Sequence, residues 1–398
     1  MSKLKYLLYA ILLFFPTYIL ALTYPNLHYS KSIIYDLTAD DTLYELNASE
    51  KTSIASLTKI LTVITALDYI DNLNTKIPYT KEIQKLVNED TSKAGLKVGD
   101  IVTYEDLLYA SILPSGADAT VMLALSLSPS LDDFVNLMNE KAISIGMNNS
   151  HFTNVIGLDD TNHYSTAQDI LTLLKYALNN PLFQKIYTTK EYTLTNALKV
   201  TTTLNHYNSA NLDLSSIIGS KTGYTNKAGL CISVLFTSHN HTILIITLNT
   251  PKTKEFYHLK DTLELINFIN NNYNQQIIFT PDNLITSLKV LYNNTTYPIK
   301  PSNYIYAFLP NDYQRKDLTT EYIGQEQLSF KDKKNSKIGL INYYYQNKLI
   351  YTESVFLSQD IEIPYLKYLS ILFIILISTL FLKLIQLKNL TPTEKRLS

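Results

Sequence analysis

The chain has 398 residues, 46% of them hydrophobic and 17% charged, enough apolar material for a large core and a second domain. Its 34 basic and 35 acidic residues give a formal charge of −1, so no cationic excess exists to hold a phosphate backbone, and a nucleic-acid partner is not expected. The single cysteine, Cys231, can form neither an internal disulfide nor a thiolate metal cluster, and within Leu230-Cys231-Ile232 it reads as a small core residue.

Lys3 and Lys5 precede an apolar stretch from Tyr6 to Leu22, the charged and hydrophobic parts of an export signal. Residues 1–22 are expected to be a signal peptide cut after Ala21. An uncleaved anchor is the alternative, because Ile19 is larger than the residue usual at that distance from a cut. Residues 23–272 form the expected main domain. Ser32–Asp36 and Thr42–Leu46 read as strands around an Ala39-Asp40-Asp41 turn, and Ser56 opens a helical run through Ile60, Val63, Ile64 and Leu67. Thr103-Tyr104-Glu105-Asp106 has the pattern of a capping box, and Ser130-Leu131-Asp132-Asp133 repeats it, which leaves Ser115-Gly116 in a loop between helices. The stretch from Gly157 to Ala167 reads as a structural loop that caps a helix at Ser165. Leu230–Phe236 and Thr242–Leu248 are β-branched apolar runs joined by Ser238-His239-Asn240-His241, the pattern of an antiparallel hairpin. Lys221-Thr222-Gly223 leads into it on an edge strand. Phe256, Leu259, Leu263 and Ile266 keep the spacing of a helix that closes on the sheet.

From residue 277 to 358 the pattern changes to short strands separated by turns such as Pro281-Asp282-Asn283 and Pro310-Asn311-Asp312, with Ile341, Tyr343, Tyr345 and Leu349, Tyr351 as hairpin arms. This reads as a small β domain, a spacer with no nucleophile or metal-ligand cluster. Tyr368 to Leu382 is uncharged and apolar, and extended through Leu387 it reaches the roughly 20 residues that span a bilayer. Lys383, Lys388, Lys395 and Arg396 favour a cytoplasmic tail over residues 388–398.

Three short motifs carry chemistry. In Ser56-x-x-Lys59 the spacing puts both side chains on one helix face, where the amine can take the hydroxyl proton once it is itself neutral. Lys221 as a second nearby cation, with partial burial, is expected to lower the Lys59 pKa. The helix start aims unpaired N–H groups at the same place, and the Ser56 N–H is a candidate oxyanion donor. Lys221 and Thr222 offer a cation and a hydroxyl to a carboxylate, Gly223 lets the backbone come close, and the edge strand can pair with an extended peptide. The chain has only 10 glycines, so those beside the motifs mark backbone constraints. His239-x-His241 reads as a solvated turn and not as a metal pair.

In order along the chain, Ser56-Leu57-Thr58-Lys59, Ser115-Gly116-Ala117 and Lys221-Thr222-Gly223 resemble the S-x-x-K, S-x-N and K-T-G set of penicillin-binding proteins and serine β-lactamases. Over roughly residues 26 to 357 the chain resembles the low-molecular-mass penicillin-binding proteins that are D-alanyl-D-alanine carboxypeptidases. The resemblance is carried by ASLTKILT (Ala55–Thr62), LLYASILPSGADAT (Leu107–Thr120), FTNVIGLDDTNHYSTAQD (Phe152–Asp169) and GSKTGYTNKAGLC (Gly219–Cys231). It implies an α+β fold of β-lactamase/DD-peptidase type: an antiparallel sheet flanked by helices plus a helical subdomain, followed by the small all-β domain and the transmembrane helix. It also implies that Ser56 attacks a peptidoglycan stem peptide and expels terminal D-alanine, that Ser115 relays protons from Lys59, and that the Tyr224 N–H is the second oxyanion donor. No metal or organic cofactor is implied, and β-lactam antibiotics are implied as covalent inhibitors; the export signal and the apolar C-terminal stretch lead to an expected place in the cell membrane, with the catalytic domain outside the cytoplasm. Ala117 stands where the pattern has Asn. Two other functions therefore remain open: a DD-transpeptidase using the same acyl-enzyme, and a non-catalytic peptidoglycan- or penicillin-binding protein. A β-lactamase is not expected, because no separate Glu motif for deacylation stands out.

Overall fold

The computed structural model describes residues 24–210, 212–291, 295–362 and 365–389. The expected signal segment at residues 1–22 and the tail from residue 390 lie outside them. The chain divides into one compact unit that reaches to Asn274 and takes in Phe308–Asp312, and a second made of Gln275–Ala307 and the residues from Tyr313 onward.

In the first unit the elements that position the site are β1 (Lys31–Asp36), β2 (Asp41–Leu46), α1 (Thr58–Leu67), α2 (Tyr104–Ile112), α3 (Ala117–Leu127), α4 (Leu131–Ser144), α5 (Ala167–Leu178), β3 (Gly219–Thr225), β4 (Gly229–Ser238), β5 (His241–Thr250) and α6 (Tyr257–Asn272). The sheet runs β2-β1-β5-β4-β3 with every neighbouring pair antiparallel. β3 is therefore an edge strand, as the family resemblance implies. The turn between β4 and β5 is His239-Asn240, both at positive φ (47° and 68°), the twist that a two-residue hairpin needs.

Because side chains alternate across a strand, the apolar run of β4 and β5 feeds two cores at once. Cys231, Leu235, Leu244, Ile246 and Leu248 join the larger core with α1 to α5. Ile232, Val234, Phe236, Ile243 and Ile245 join a smaller one with Leu259, Leu265, Ile266 and Ile269 of α6. A sheet covered on both faces explains why these strands read as nearly continuous hydrophobic runs. Cys231 is fully buried, and burial pushes its thiol up to about 12, which fits a packing residue.

The helix starts follow their sequence signals. Thr103 Oγ1 accepts the Asp106 N–H at 3.2 Å while Asp106 accepts the Thr103 N–H at 2.9 Å, a complete capping box, and Ser130 accepts the Asp133 N–H at 3.1 Å. Three details differ from expectation. The residue that caps α5 is Thr166, which accepts the Asp169 N–H at 2.9 Å. Ser165 instead pairs its backbone with Thr52. His241 is not solvated: it opens β5, is buried, and its Nδ1 lies 2.6 Å from Oδ2 of the buried Asp36.

In the second unit β6 (Leu318–Gly324), β7 (Lys337–Tyr345) and β8 (Lys348–Phe356) form an antiparallel sheet, with Gln346-Asn347 at φ 48° and 65° as the two-residue turn between β7 and β8. Helix α7 (Tyr365–Asn389) follows, and its window Tyr368–Ile385 has a mean hydropathy of 2.4.

Phe308–Asp312 fall inside the span read from sequence as the small β domain, yet they pack with the first unit. The Phe308 ring is buried, stacks on His241 at 4.3 Å between centroids and lies 5.5 Å from the Tyr273 ring. Truncating a packed aromatic ring costs about 3–5 kcal/mol. Phe308→Ala is therefore expected to lower the melting temperature of the first unit by several degrees although it lies far along the chain from that unit's other residues. Thermal unfolding followed by circular dichroism checks this, and an unchanged transition would show that the ring only rests on the surface.

Candidate active site

The nucleophile candidate is placed by an unusual backbone entry. Ala55 takes a left-handed φ of 48°, and the 3-10 turn Ala55–Leu57 then runs into α1. Ser56 stands at that junction, and Lys59, one turn on, places its Nζ 2.9 Å from Ser56 Oγ. The same Nζ donates to the Ile156 carbonyl at 3.0 Å. Lys59 is 2% exposed. Burial lowers its pKa to about 7, against a smaller opposing pull from the Asp118 charge. An amine with that pKa is largely neutral just above neutrality, the state in which it can accept a hydroxyl proton.

The Ile156 carbonyl is itself held in place. Asn154 Oδ1 accepts the N–H groups of Ile156, Gly157 and Leu158 at 3.3, 2.7 and 2.9 Å, a tight turn of the kind Asn side chains make. Gly157 has φ 89°, and a Cβ there would come within 1.9 Å of the Ala55 carbonyl oxygen. No other residue fits, so this glycine lets the turn press directly against the segment that carries Ser56. Beneath, Thr58 Oγ1 and His163 Nε2 are 2.9 Å apart, while His163 Nδ1 accepts the Thr153 N–H at 3.2 Å. The Nδ1 contact assigns the ring proton to Nε2. Burial pushes the His163 pKa down to about 4, so the ring is a neutral strut between α1 and the 151–164 segment.

Ser115 forms the second wall, in the loop between α2 and α3. It takes a left-handed φ of 60°, and its hydroxyl is buried and makes no hydrogen bond among the described residues. The Gly116 N–H donates to the Ala110 carbonyl at 3.0 Å and the Ala117 N–H to the Ser92 carbonyl at 2.7 Å. Asp118 accepts the N–H groups of Ala94, Gly95 and Leu96 at 2.7, 2.9 and 3.0 Å. These bonds pin the 88–96 loop to the start of α3, and Asn88, Asp90, Thr91 and Ser92 of that loop line the cleft. The Ala117 methyl is fully buried in the larger core.

Edge strand β3 is the third wall. A Cβ on Gly223 would sit 2.7 Å from the Ser56 nitrogen, so glycine is what allows strand and nucleophile segment to meet. Thr222 Oγ1 donates to Thr203 Oγ1 at 2.7 Å. Tyr224, 39% exposed, lies at the rim with Lys252 Nζ 3.8 Å from its ring centroid. Asp159 accepts from Thr225 Oγ1 at 2.6 Å and from the Lys227 N–H at 3.2 Å, which ties the Gly157 turn to the end of β3.

Ser56, Lys59, Ser115, Thr222, Gly223 and Tyr224 thus line one cleft of about 620 Å³, within the usual range for a ligand site. Lys221 departs from expectation. It is 0% exposed, does not line the cleft, and donates from Nζ to the Thr222 carbonyl at 2.8 Å. Its pKa is lowered well below the usual amine value, first by burial and then by the Lys59 charge. The expected ordering of causes at Lys59 is corrected as well. Burial, not the charge of Lys221, depresses that amine, whereas the Lys59 charge adds to the depression at Lys221. Asn154, His163, Asp118, Thr203 and the 88–92 loop were not singled out from sequence. Asn154 and His163 fall in the quoted Phe152–Asp169 stretch and Asp118 in the quoted Leu107–Thr120 stretch, while nothing in local pattern marks Thr203 or the 88–92 loop.

A serine hydroxyl bonded to a neutralisable lysine, at the start of a helix and against an edge strand, defines a lysine-assisted serine peptidase site. Residues 20–252 match the family model described as D-alanyl-D-alanine carboxypeptidase, and residues 273–363 the model described as Penicillin-binding protein 5, C-terminal domain. The chain belongs to the D-alanyl-D-alanine carboxypeptidase family. It is 32% identical over 216 residues to a D-alanyl-D-alanine carboxypeptidase of Streptomyces sp. (strain K15), covering 51% of this chain and 74% of that one. It is 26% identical over 344 residues to the D-alanyl-D-alanine carboxypeptidase DacC of Escherichia coli (strain K12), covering 83% of each. Among solved structures, penicillin binding protein 5 from Haemophilus influenzae superposes with a TM-score of 0.63 at 23% identity, over 86% of this chain and 100% of that one. The Streptomyces K15 DD-transpeptidase superposes with a TM-score of 0.57 at 28% identity, over 62% and 98%.

Because Lys59 must be neutral to take the proton, and its pKa is depressed to about 7, the reactivity of Ser56 is expected to rise with pH. The rise is roughly tenfold per pH unit on the acid side, levelling off above about pH 7. The rate of labelling by a fluorescent penicillin across that range checks this. A flat profile would mean that the amine is not the base.

Proposed function

We propose that the protein is a membrane-anchored serine D-Ala-D-Ala carboxypeptidase that removes the terminal D-alanine from peptidoglycan stem pentapeptides. The observation that carries the reading is the 2.9 Å contact between Ser56 Oγ and a buried Lys59 amine with a pKa of about 7. Neutral Lys59 takes the Ser56 proton as Oγ attacks the penultimate D-alanine carbonyl. The Ser56 N–H, with the Tyr224 N–H opposite, receives the oxyanion. Ser115 passes the proton from Lys59 to the leaving D-alanine nitrogen, the C–N bond breaks, and the acyl group stays on Ser56. Water then adds to the ester, its proton returning through Lys59, and releases the shortened peptide.

The stem peptide lies along β3 by strand addition, since among the described residues that edge has no neighbour in the sheet beyond it. The terminal carboxylate meets the Thr222 hydroxyl, paired with Thr203 on the cleft wall. Lys221 is wholly enclosed and does not line the cleft, so the substrate carboxylate is assigned to Thr222 alone. Helix α7 has 25 residues, about 37 Å at 1.5 Å per residue, which suits a bilayer span. Lys383 and Lys388 in its C-terminal part, with Lys395 and Arg396 later in the sequence, support a cytoplasmic tail and an extracytoplasmic catalytic unit.

Ser56→Ala is expected to lower D-alanine release from a pentapeptide by about 10³-fold or more, as read by mass spectrometry of the free amino acid, and to abolish penicillin labelling. Equal release by both proteins would end the proposal. A second reading, transpeptidation through the same acyl-enzyme, is favoured by one observation: the Streptomyces K15 relatives are described both as a carboxypeptidase and as a DD-transpeptidase. With an amine acceptor added, the wild type is expected to yield mainly the hydrolysed tetrapeptide. A dominant cross-linked product by chromatography would reassign the acceptor step and leave the acyl-enzyme intact.

A further inference from the structure

The second unit carries a surface feature that the catalytic reading leaves unused. Tyr304, Tyr306, Tyr351 and Phe356 surround a cavity of about 490 Å³, and each ring is about half exposed, between 48% and 55%. The chain has 31 tyrosines, so exposed rings alone carry little meaning. What distinguishes these four is their arrangement around a concave floor containing Glu353. That carboxylate is 9% exposed; it accepts the Ser302 N–H at 3.3 Å and the Ser302 hydroxyl at 2.6 Å on Oε2, and the Tyr343 hydroxyl on Oε1. Each carboxylate oxygen has two lone pairs, so Oε1 keeps the capacity to accept another hydroxyl.

We propose that this aromatic-rimmed cavity of the second unit is a saccharide site that takes a β-1,4-linked N-acetylhexosamine chain, the chemistry of the glycan to which stem peptides are attached. A pyranose presents an apolar C–H face and a ring of hydroxyls. Aromatic rings around a polar floor match both, the rings by stacking and the floor by hydrogen bonds. Among the described residues no lysine or arginine lines the cavity, so it has no cation to hold an anionic lipid headgroup. The site would hold the glycan while the stem peptide reacts elsewhere, and a weak contact of this kind gains strength because the membrane concentrates the partners.

The test uses the full chain in detergent with the tetramer of β-1,4-linked N-acetylglucosamine as probe, followed by saturation-transfer NMR and calorimetry. The wild type is expected to bind the tetramer, Tyr306→Ala combined with Tyr351→Ala to bind at least tenfold more weakly, and Tyr306→Phe, which keeps the ring, to stay within a few-fold of wild type. Ser56→Ala is expected to bind the tetramer as well as wild type does, and the double tyrosine variant to release D-alanine from a free pentapeptide at the wild-type rate. Loss of catalysis would therefore not be confused with loss of this site. No binding by the wild type, or equal binding by the double variant, would overturn the proposal. So would quenching of tyrosine fluorescence by brominated lipid in nanodiscs that disappears in the double variant, since that outcome assigns the rings to the membrane surface.

Discussion

The rest of the site depends on one enclosed amine. Burying a lysine opposes its charge, and at Lys59 the surroundings offer two neutral partners, the Ser56 hydroxyl and the Ile156 carbonyl, rather than a close carboxylate. A carboxylate in contact would have stabilised the ammonium and raised its pKa, leaving a cation unable to take a proton. Asp118 is near enough to oppose the shift but not to reverse it, because burial is the larger effect, and its oxygens accept the N–H groups of Ala94, Gly95 and Leu96. One aspartate thus ties down a cleft wall without contacting the amine.

Keeping the amine dry requires several chain segments to meet at van der Waals distance, and glycine makes two of those meetings possible. Gly157 brings the Asn154 turn onto Ala55, and Gly223 brings the edge strand onto Ser56. A side chain at either position would force the segments apart and admit water, which would return Lys59 toward its ordinary pKa. The left-handed backbone at Ala55 and Ser115 belongs to the same economy of space. Such conformations cost about 1–3 kcal/mol for residues with a Cβ, and they persist where surrounding contacts over-determine them. At Ser115 those contacts are the Gly116 and Ala117 N–H bonds to the Ala110 and Ser92 carbonyls.

Local pattern made much of this legible. The three-residue separation of Ser56 and Lys59 is enough to place both groups on one face, and the helix caps at Thr103 and Ser130 and the hairpin follow from spacing and turn chemistry, whereas the order of the strands comes from the family resemblance. What escaped depends on contacts between segments distant in sequence. Lys221 looks from sequence like a cation waiting for an anion. Strand alternation puts it on the same side as Gly223, facing into the body of the unit, where it is wholly enclosed. His241 looks like a turn residue until Asp36, across the sheet, pairs with it. Phe308 belongs by sequence to the later strands and by packing to the earlier core. No periodicity reports such pairings, because each is set by which elements the sheet brings together.

The same distinction bears on Ala117, the one position where the motif set is incomplete. An asparagine amide in that place would supply about one hydrogen bond, worth roughly 1–3 kcal/mol where it is buried. The architecture that such an amide could support is nonetheless held by other groups: the Ala117 N–H bonds Ser92, Asp118 binds the loop that follows, and the Lys59 amine is oriented by the Ile156 carbonyl. The methyl of Ala117 packs into the core without a cavity-lining role. A chain under no demand to keep a reactive centre would gain by relaxing the strained Ser115 backbone and by replacing a buried lysine with an apolar residue, since both are costly. Both are kept beside an intact Ser56, which fits the proposed function, in which the substitution removes one contact to the substrate and leaves the Ser56–Lys59 contact in place.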